Sequence, residues 1–164
     1  MKALIENKVT LRNSTRDDMG FLARLYGDAR RGEVAEWGWP QAQQEMFLRM
    51  QFDAQHRSYQ AGFSGAEDRI VCLDGSPAGR MMVAREPEGM RLIDIALLEE
   101  YRNRGVGTLL LLQLLEECND HGDTLRLHVR QGNPAIRLYL RLGFVQTGAD
   151  EMYVQMKRSP IERP

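Results

Sequence analysis

Residues 91–130 read RLIDIALLEEYRNRGVGTLLLLQLLEECNDHGDTLRLHVR, and the fold turns on this stretch. Arg91 to Leu98 has the character of a strand. Gly105 to Asn119 predicts a Leu-rich helix that His121-Gly122 ends. From Thr124 to Val129, Leu125, Leu127 and Val129 alternate with Arg126, His128 and Arg130, the pattern of a strand with one buried face. Strand, helix, strand at this spacing reads as a right-handed parallel crossover.

Working outward, the upstream segment reads as an antiparallel meander. Arg69 to Leu73 is a strand, Asp74-Gly75 a hairpin signal, Ala78 to Arg85 a second strand, and Pro87-Glu88-Gly89 a turn. Downstream, Asn133 to Leu142 predicts a helix ended by Gly143. Phe144 to Gln146 and Met152 to Met156 predict a hairpin around Gly148. Near the start, Val9 to Arg12 reads as a short strand. A helix follows to about Arg30, with Thr15 as its cap and Met19, Leu22, Leu25 and Tyr26 on one face. Gly32 to Pro40 predicts a loop holding Trp37 and Trp39. A second helix runs from Pro40 to about Gln60, with a thin apolar face of Met46, Phe47, Met50 and Ala54. The whole is an α+β chain: a mixed sheet with helices on its faces.

Composition limits the function. The chain has 164 residues, near one average domain, with residues 1–158 read as that domain and 159–164 as a C-terminal tail. Its 22 basic and 23 acidic side chains leave a formal charge of -1, without the basic excess of a nucleic-acid or anionic-membrane binder. Cys72 and Cys118 stand apart with no Cys/His cluster, so no metal site is expected and both read as small buried thiols. The opening MKALIENKVTLRN lacks a signal-peptide core and no apolar run approaches a membrane span. A cytoplasmic protein is the expectation.

The loop Arg102-Asn103-Arg104-Gly105-Val106-Gly107-Thr108 joins a strand end to a helix start. Glycine admits close backbone approach, helix N-termini offer unpaired N–H groups, and two arginines stand beside them. This is an anion site suited to a phosphate or pyrophosphate. A Walker loop would need a lysine after Gly107, where Thr108 stands, and a dinucleotide fingerprint would need a third glycine, where Leu110 stands. Neither nucleotide motif fits.

Twenty-six residues after Gly107 comes NPAIRLYLRLGF. With it, the chain resembles the GNAT superfamily of acyl-CoA-dependent N-acyltransferases. Arg102 to Gly107 matches the family's Arg/Gln-x-x-Gly-x-Gly/Ala pyrophosphate loop. Asn133, Ala135, Leu138, Tyr139, Gly143 and Phe144 match its Asn-x-x-Ala-x-x-Leu-Tyr-x-x-x-Gly-Phe segment. The stretch around His128 is similar to ribosomal-protein N-terminal acetyltransferases.

The resemblance implies a splayed pair of central strands holding acetyl-CoA as cosubstrate, without metal. Ala96, Leu97 and Leu98 would offer backbone hydrogen bonds to the pantetheine, with the Leu97 amide available to the acetyl carbonyl. Asn133 would bond the same arm, or cap its helix. Tyr139 matches the family's general acid, a phenol of pKa about 10 that is protonated at neutral pH. A base for the amine is sought in His128 or Asp94, or in water. Trp37 and Trp39 are candidates to cover the acceptor amine by cation–π contact. The second helix would line the acceptor site or form a homodimer face. The expected reaction is direct acetyl transfer to a primary amine of a small molecule, amino acid or peptide N-terminus. Two alternatives remain: a non-catalytic acyl-CoA sensor or assembly module, and a toxin-type aminoacyl-tRNA acetyltransferase.

Overall fold

The computed structural model describes residues 8–162. The first seven residues of the opening segment and the last two of the predicted tail lie outside that range. Seven strands form one mixed sheet in the order β1-β2-β3-β4-β5-β7-β6. They are β1 (Val9–Asn13), β2 (Glu67–Leu73), β3 (Ser76–Glu86), β4 (Gly89–Leu97), β5 (Thr124–Arg130), β6 (Val145–Ala149) and β7 (Tyr153–Arg158). The helices are α1 (Met19–Ala35), α2 (Gln41–Gly62), α3 (Val106–His121) and α4 (Ala135–Arg141).

Two apolar clusters, one on each sheet face, fix the layers. Leu92, Leu125, Leu127 and Val129 pack with Val106, Leu110, Leu114 and Tyr139 of α3 and α4. Ile70, Cys72 and Leu98 pack with Leu22 and Leu25 of α1 and Phe52 of α2. The strand alternation read from the sequence therefore sorts apolar side chains correctly, and Cys72 and Cys118 are free and buried. The Asp74-Gly75 hairpin also forms, with φ of 51° and 81°, the left-handed pair of a type I′ turn.

Several local expectations shift. The first helix continues past Arg30 to Ala35, because Val34 is buried and anchors another turn. At its entry Thr15 is the N-cap, as expected, and forms a capping box with Asp18. That carboxylate accepts the Thr15 N–H at 2.8 Å and both terminal nitrogens of Arg12, also at 2.8 Å. In α2 the buried residues are Leu48 and Phe52, while Met46 and Met50 are exposed. The packed stripe is rotated from the predicted one: Phe52 joins Leu22 and Leu25 of α1, and Leu48 lies over Gly27 of the same helix. The last hairpin turns at Asp150 and not at Gly148. Asp150 Oδ1 accepts from the amides of Met152 and Tyr153 at 2.8 and 2.7 Å. Gly148 sits at a register shift inside β6.

The sheet's centre matters most. β4 and β5 run parallel, but pairing covers only Gly89–Thr124 to Leu92–Leu127. Gly89, at φ 130°, starts this contact; a Cβ there would fall 2.5 Å from the Thr124 carbonyl oxygen. Beyond Leu92 the strands part. On its other edge β4 stays paired to β3, with Ile93 inserted as a bulge between Leu92–Val83 and Asp94–Met82.

Candidate active site

The bulge re-aims side chains. Leu92, Ile95 and Leu97 all pack toward α3, whereas Ala96 packs toward α1 and α2. Asp94 joins Ala96 in lining a cleft of about 40 Å³ with Leu22, Tyr26, Arg30, Phe52 and Arg80. Without the extra residue, strand alternation would turn Asp94 to the opposite face.

Backbone direction can be followed the same way. The Leu98 N–H donates to the Ala78 carbonyl at 2.8 Å, toward β3. The Leu97 carbonyl belongs to the same peptide and points the other way, where it accepts from Arg102 Nε at 2.9 Å. In extended backbone a residue's N–H and C=O share a direction, so the Leu97 N–H, and by alternation that of Ile95, faces the gap between β4 and β5. The expectations for Ala96 and Leu98 are corrected. Ala96 stands opposite Arg80 in the β3–β4 ladder, and by the same alternation its N–H faces β3. The Leu98 N–H is held by Ala78, and its carbonyl accepts from Tyr101 at 2.9 Å.

At the top of the gap, Gly105 caps α3 at φ 83°. The first intrahelical bond runs from Leu109 N–H to the Gly105 carbonyl, leaving the amides of Val106, Gly107 and Thr108 without helical acceptors. A Cβ on Gly107 would meet nothing closer than Leu97 Cδ1 at 4.0 Å, so the fold itself leaves space there. Asn103 supplies the preceding left-handed residue, at φ 59°. The two arginines separate in role. Arg102 ties the loop to α1 through Asp28 Oδ2 at 3.3 Å, while Arg104 lies 5.9 Å from the Tyr101 ring centre. Arg104 is thus the more available cation.

Tyr139 enters from the α4 side. It is buried, with its ring 5.5 Å from that of Phe144. Burial, and then the negative charge of Asp94, push its phenol up to about 12, so it is held protonated. Asn133 acts as a cap: its Oδ1 accepts the Ala135 N–H at 2.9 Å.

On the opposite face Asp94 is raised above the ordinary carboxyl range, chiefly by burial and opposed by Arg80 and Arg30. His128, exposed on β5, is lowered by desolvation and by Arg91, whose Nη2 lies 3.5 Å from Nδ1. With Arg91 donating, the Nδ1 lone pair is engaged beside a cation, a poor place to take up a proton.

Trp37 and Trp39 do not reach the cleft. They form a three-ring cluster with Phe47, with centroids 5.0, 5.3 and 5.5 Å apart, beside the start of α2. The residues that do surround Asp94 include three that sequence reading passed over. Arg80 is nearly fully buried and is bound by Asp68 through two hydrogen bonds of 2.7 and 2.8 Å. Tyr59 is raised by burial and by Asp94, and its ring lies 5.5 Å from the Arg80 guanidinium carbon. Arg30 stacks on Tyr26 at 3.7 Å. Arg80 was findable as a charge within the apolar run of β3, the same signal that singled out Asp94.

Among the described residues there is no group of three or more His, Cys, Asp or Glu arranged to hold a metal.

Comparison with known proteins agrees with this layout. The PaiA N-acetyltransferase of Thermoplasma acidophilum, solved with coenzyme A, superposes with a TM-score of 0.70 at 16% identity, over 92% of this chain and 98% of that one. RimL, a ribosomal-protein alpha-N-acetyltransferase, gives a TM-score of 0.64 at 19% identity, over 94% and 92%. In sequence, the chain is 28% identical over 96 residues to the L-amino acid N-acetyltransferase AaaT of Escherichia coli (strain K12), a match spanning 54% of this chain and 59% of that relative. The profile of the acetyltransferase (GNAT) family matches residues 22–144, from α1 through the helix that carries Tyr139 to Phe144. A profile match over most of the chain, on a sheet that opens where that family's cosubstrate is expected, means that this protein belongs to the GNAT acetyltransferase family.

Proposed function

We propose that the protein is an acetyl-CoA-dependent N-acetyltransferase that moves the acetyl group directly to a primary amine. What supports this reading is the opening between β4 and β5 together with the placement of Tyr139 in the cluster on one sheet face and of Asp94 in the cleft on the other.

The residues fit the cosubstrate by class of group. The amides of Val106, Gly107 and Thr108, with Arg104 alongside, suit a pyrophosphate. The inward backbone of Ile95 and Leu97 suits an extended amide arm, which a strand edge binds whatever its side chains. The Leu97 N–H donates to the carbonyl oxygen as negative charge builds there, the role of an oxyanion donor.

Asp94, on the acceptor side, takes the proton from the attacking amine. A carboxyl raised by burial is a stronger base than a solvated one and stays usable near neutral pH. Tyr139, on the far side, gives its proton to the departing thiolate. Acid and base on opposite faces let the amine attack from one side while the thiol leaves from the other. AaaT, named for L-amino acid acetylation, and RimL, named for a protein N-terminus, support an amine acceptor. No cysteine lines the cleft, in keeping with direct transfer.

The test is release of free thiol from acetyl-CoA across a panel of amino acids, peptides and alkylamines. Turnover with at least one amine is expected. CoA binding with no turnover on any amine would make the protein a binding module.

A further inference from the structure

The cleft beneath α1 and α2 holds three charged side chains besides apolar walls: Asp94, Arg80 and Arg30. They are not equivalent. Arg80 already has a carboxylate partner on two of its nitrogens. Arg30 is half-buried, lines the cleft and forms no ion pair among the described residues. One face of its guanidinium is stacked on Tyr26 at 3.7 Å. Stacking fixes the plane and leaves the N–H edge free to donate, the arrangement that suits two-point binding of a carboxylate. Arg30 and Asp94 line the same cleft and make no ion pair with each other.

We infer that Arg30 anchors the α-carboxylate of the acceptor, so that the substrate is a free α-amino acid with its amine toward Asp94. This rests on the reading of Asp94 as the base. An α-amino acid carries one positive and one negative group a few ångströms apart, complementary to Asp94 and Arg30 in that order. A peptide N-terminus has a neutral amide where the carboxylate would be, and an alkylamine has nothing there. Either would leave Arg30 desolvated without a counter-charge. Tyr26, Leu22 and Phe52 leave an apolar wall for the amino acid's side chain.

The experiment compares kcat/KM for free L-amino acids with that for their carboxamides, which keep the amine and lose the charge. Hydrogen bonds to a charged group predict a preference for the free acid of about tenfold or more. Arg30→Gln should collapse that ratio toward one, mainly through KM, and Arg30→Lys should restore part of it. Amides turned over as well as acids by the wild-type protein would overturn the proposal while leaving the acetyltransferase reading intact. So would an undiminished ratio in Arg30→Gln. No turnover on any amine would overturn both. The wild-type ratio needs no variant, so misfolding of a mutant cannot blunt the test.

Discussion

At the scale of single residues, the proposed chemistry rests on two side chains whose titration is displaced in the same direction. In the proposed roles, raised Tyr139 keeps a proton to give and raised Asp94 accepts one. Tyr139→Phe should lower kcat about a hundredfold while CoA affinity stays near wild type, as read by steady-state kinetics and calorimetry. Asp94→Asn should lower kcat/KM by a similar factor and remove the acidic limb of the pH–rate profile. That limb should lie above the ordinary carboxyl range and survive in His128→Ala. Stability should move the opposite way. An acid whose folded pKa is raised favours folding most while protonated, below its ordinary pKa, and that contribution is lost as pH rises through the folded value. Ionised Asp94 therefore costs stability at neutral pH, and Asp94→Asn should raise the unfolding midpoint at pH 7 as activity falls.

At the scale of elements, the junction between β4 and α3 divides structural work from the proposed binding of pyrophosphate. Gly105 needs its left-handed φ to start α3, and Arg102 fastens the loop to α1 and to the Leu97 carbonyl. Gly107 is demanded by neither. Gly107→Glu should leave the unfolding midpoint close to wild type and weaken CoA binding about a hundredfold, or about 2.7 kcal/mol, because bulk and negative charge enter the anion site. Affinity unchanged in a titration would remove the pyrophosphate from this turn. This junction was legible because its chemistry is local: the glycines, the helix start and the arginines lie within seven residues. The proposed acceptor cleft was not. Asp94, Arg30 and Arg80 meet only after α1 packs on the sheet and Ile93 shifts the strand phase. No sequence window contains that geometry. The same cause misled the reading of α2, where Met46 and Met50 looked as buriable as Leu48 and Phe52 until tertiary packing chose between them. Trp37 and Trp39 look like ligand-binding residues in sequence, yet they satisfy each other and Phe47.

At the scale of the molecule, fold class was legible and detailed strand placement was not. Alternation in β5 and the Leu-rich α3 dictate a parallel unit, whereas the position of β7 between β5 and β6 depends on a turn that Asp150 closes. The two helical layers sit on opposite faces of one opened sheet; on the proposed function, cosubstrate and acceptor approach from different directions and meet at its centre. Filling the opening should slow amide exchange at Ile95 and Leu97 on addition of acetyl-CoA, with little change at Leu98, whose N–H is already bonded. Hydrogen exchange resolved by residue measures this. Equal protection at all three positions would place the pantetheine elsewhere.

The divergence of β4 and β5 also bears on self-association. A sheet ordinarily has two free edges, and natural proteins shield them from pairing with other chains. This one has two more in its interior, on strands that begin hydrogen-bonded at Gly89–Thr124 and end apart. Because those inner edges face each other across a wedge, a strand from another molecule has no flat margin to align with. A narrow, flexible amide chain can still enter from the open end. The shape proposed to admit a small cosubstrate therefore also excludes protein strands, and it protects a polar backbone that would elsewhere be a liability.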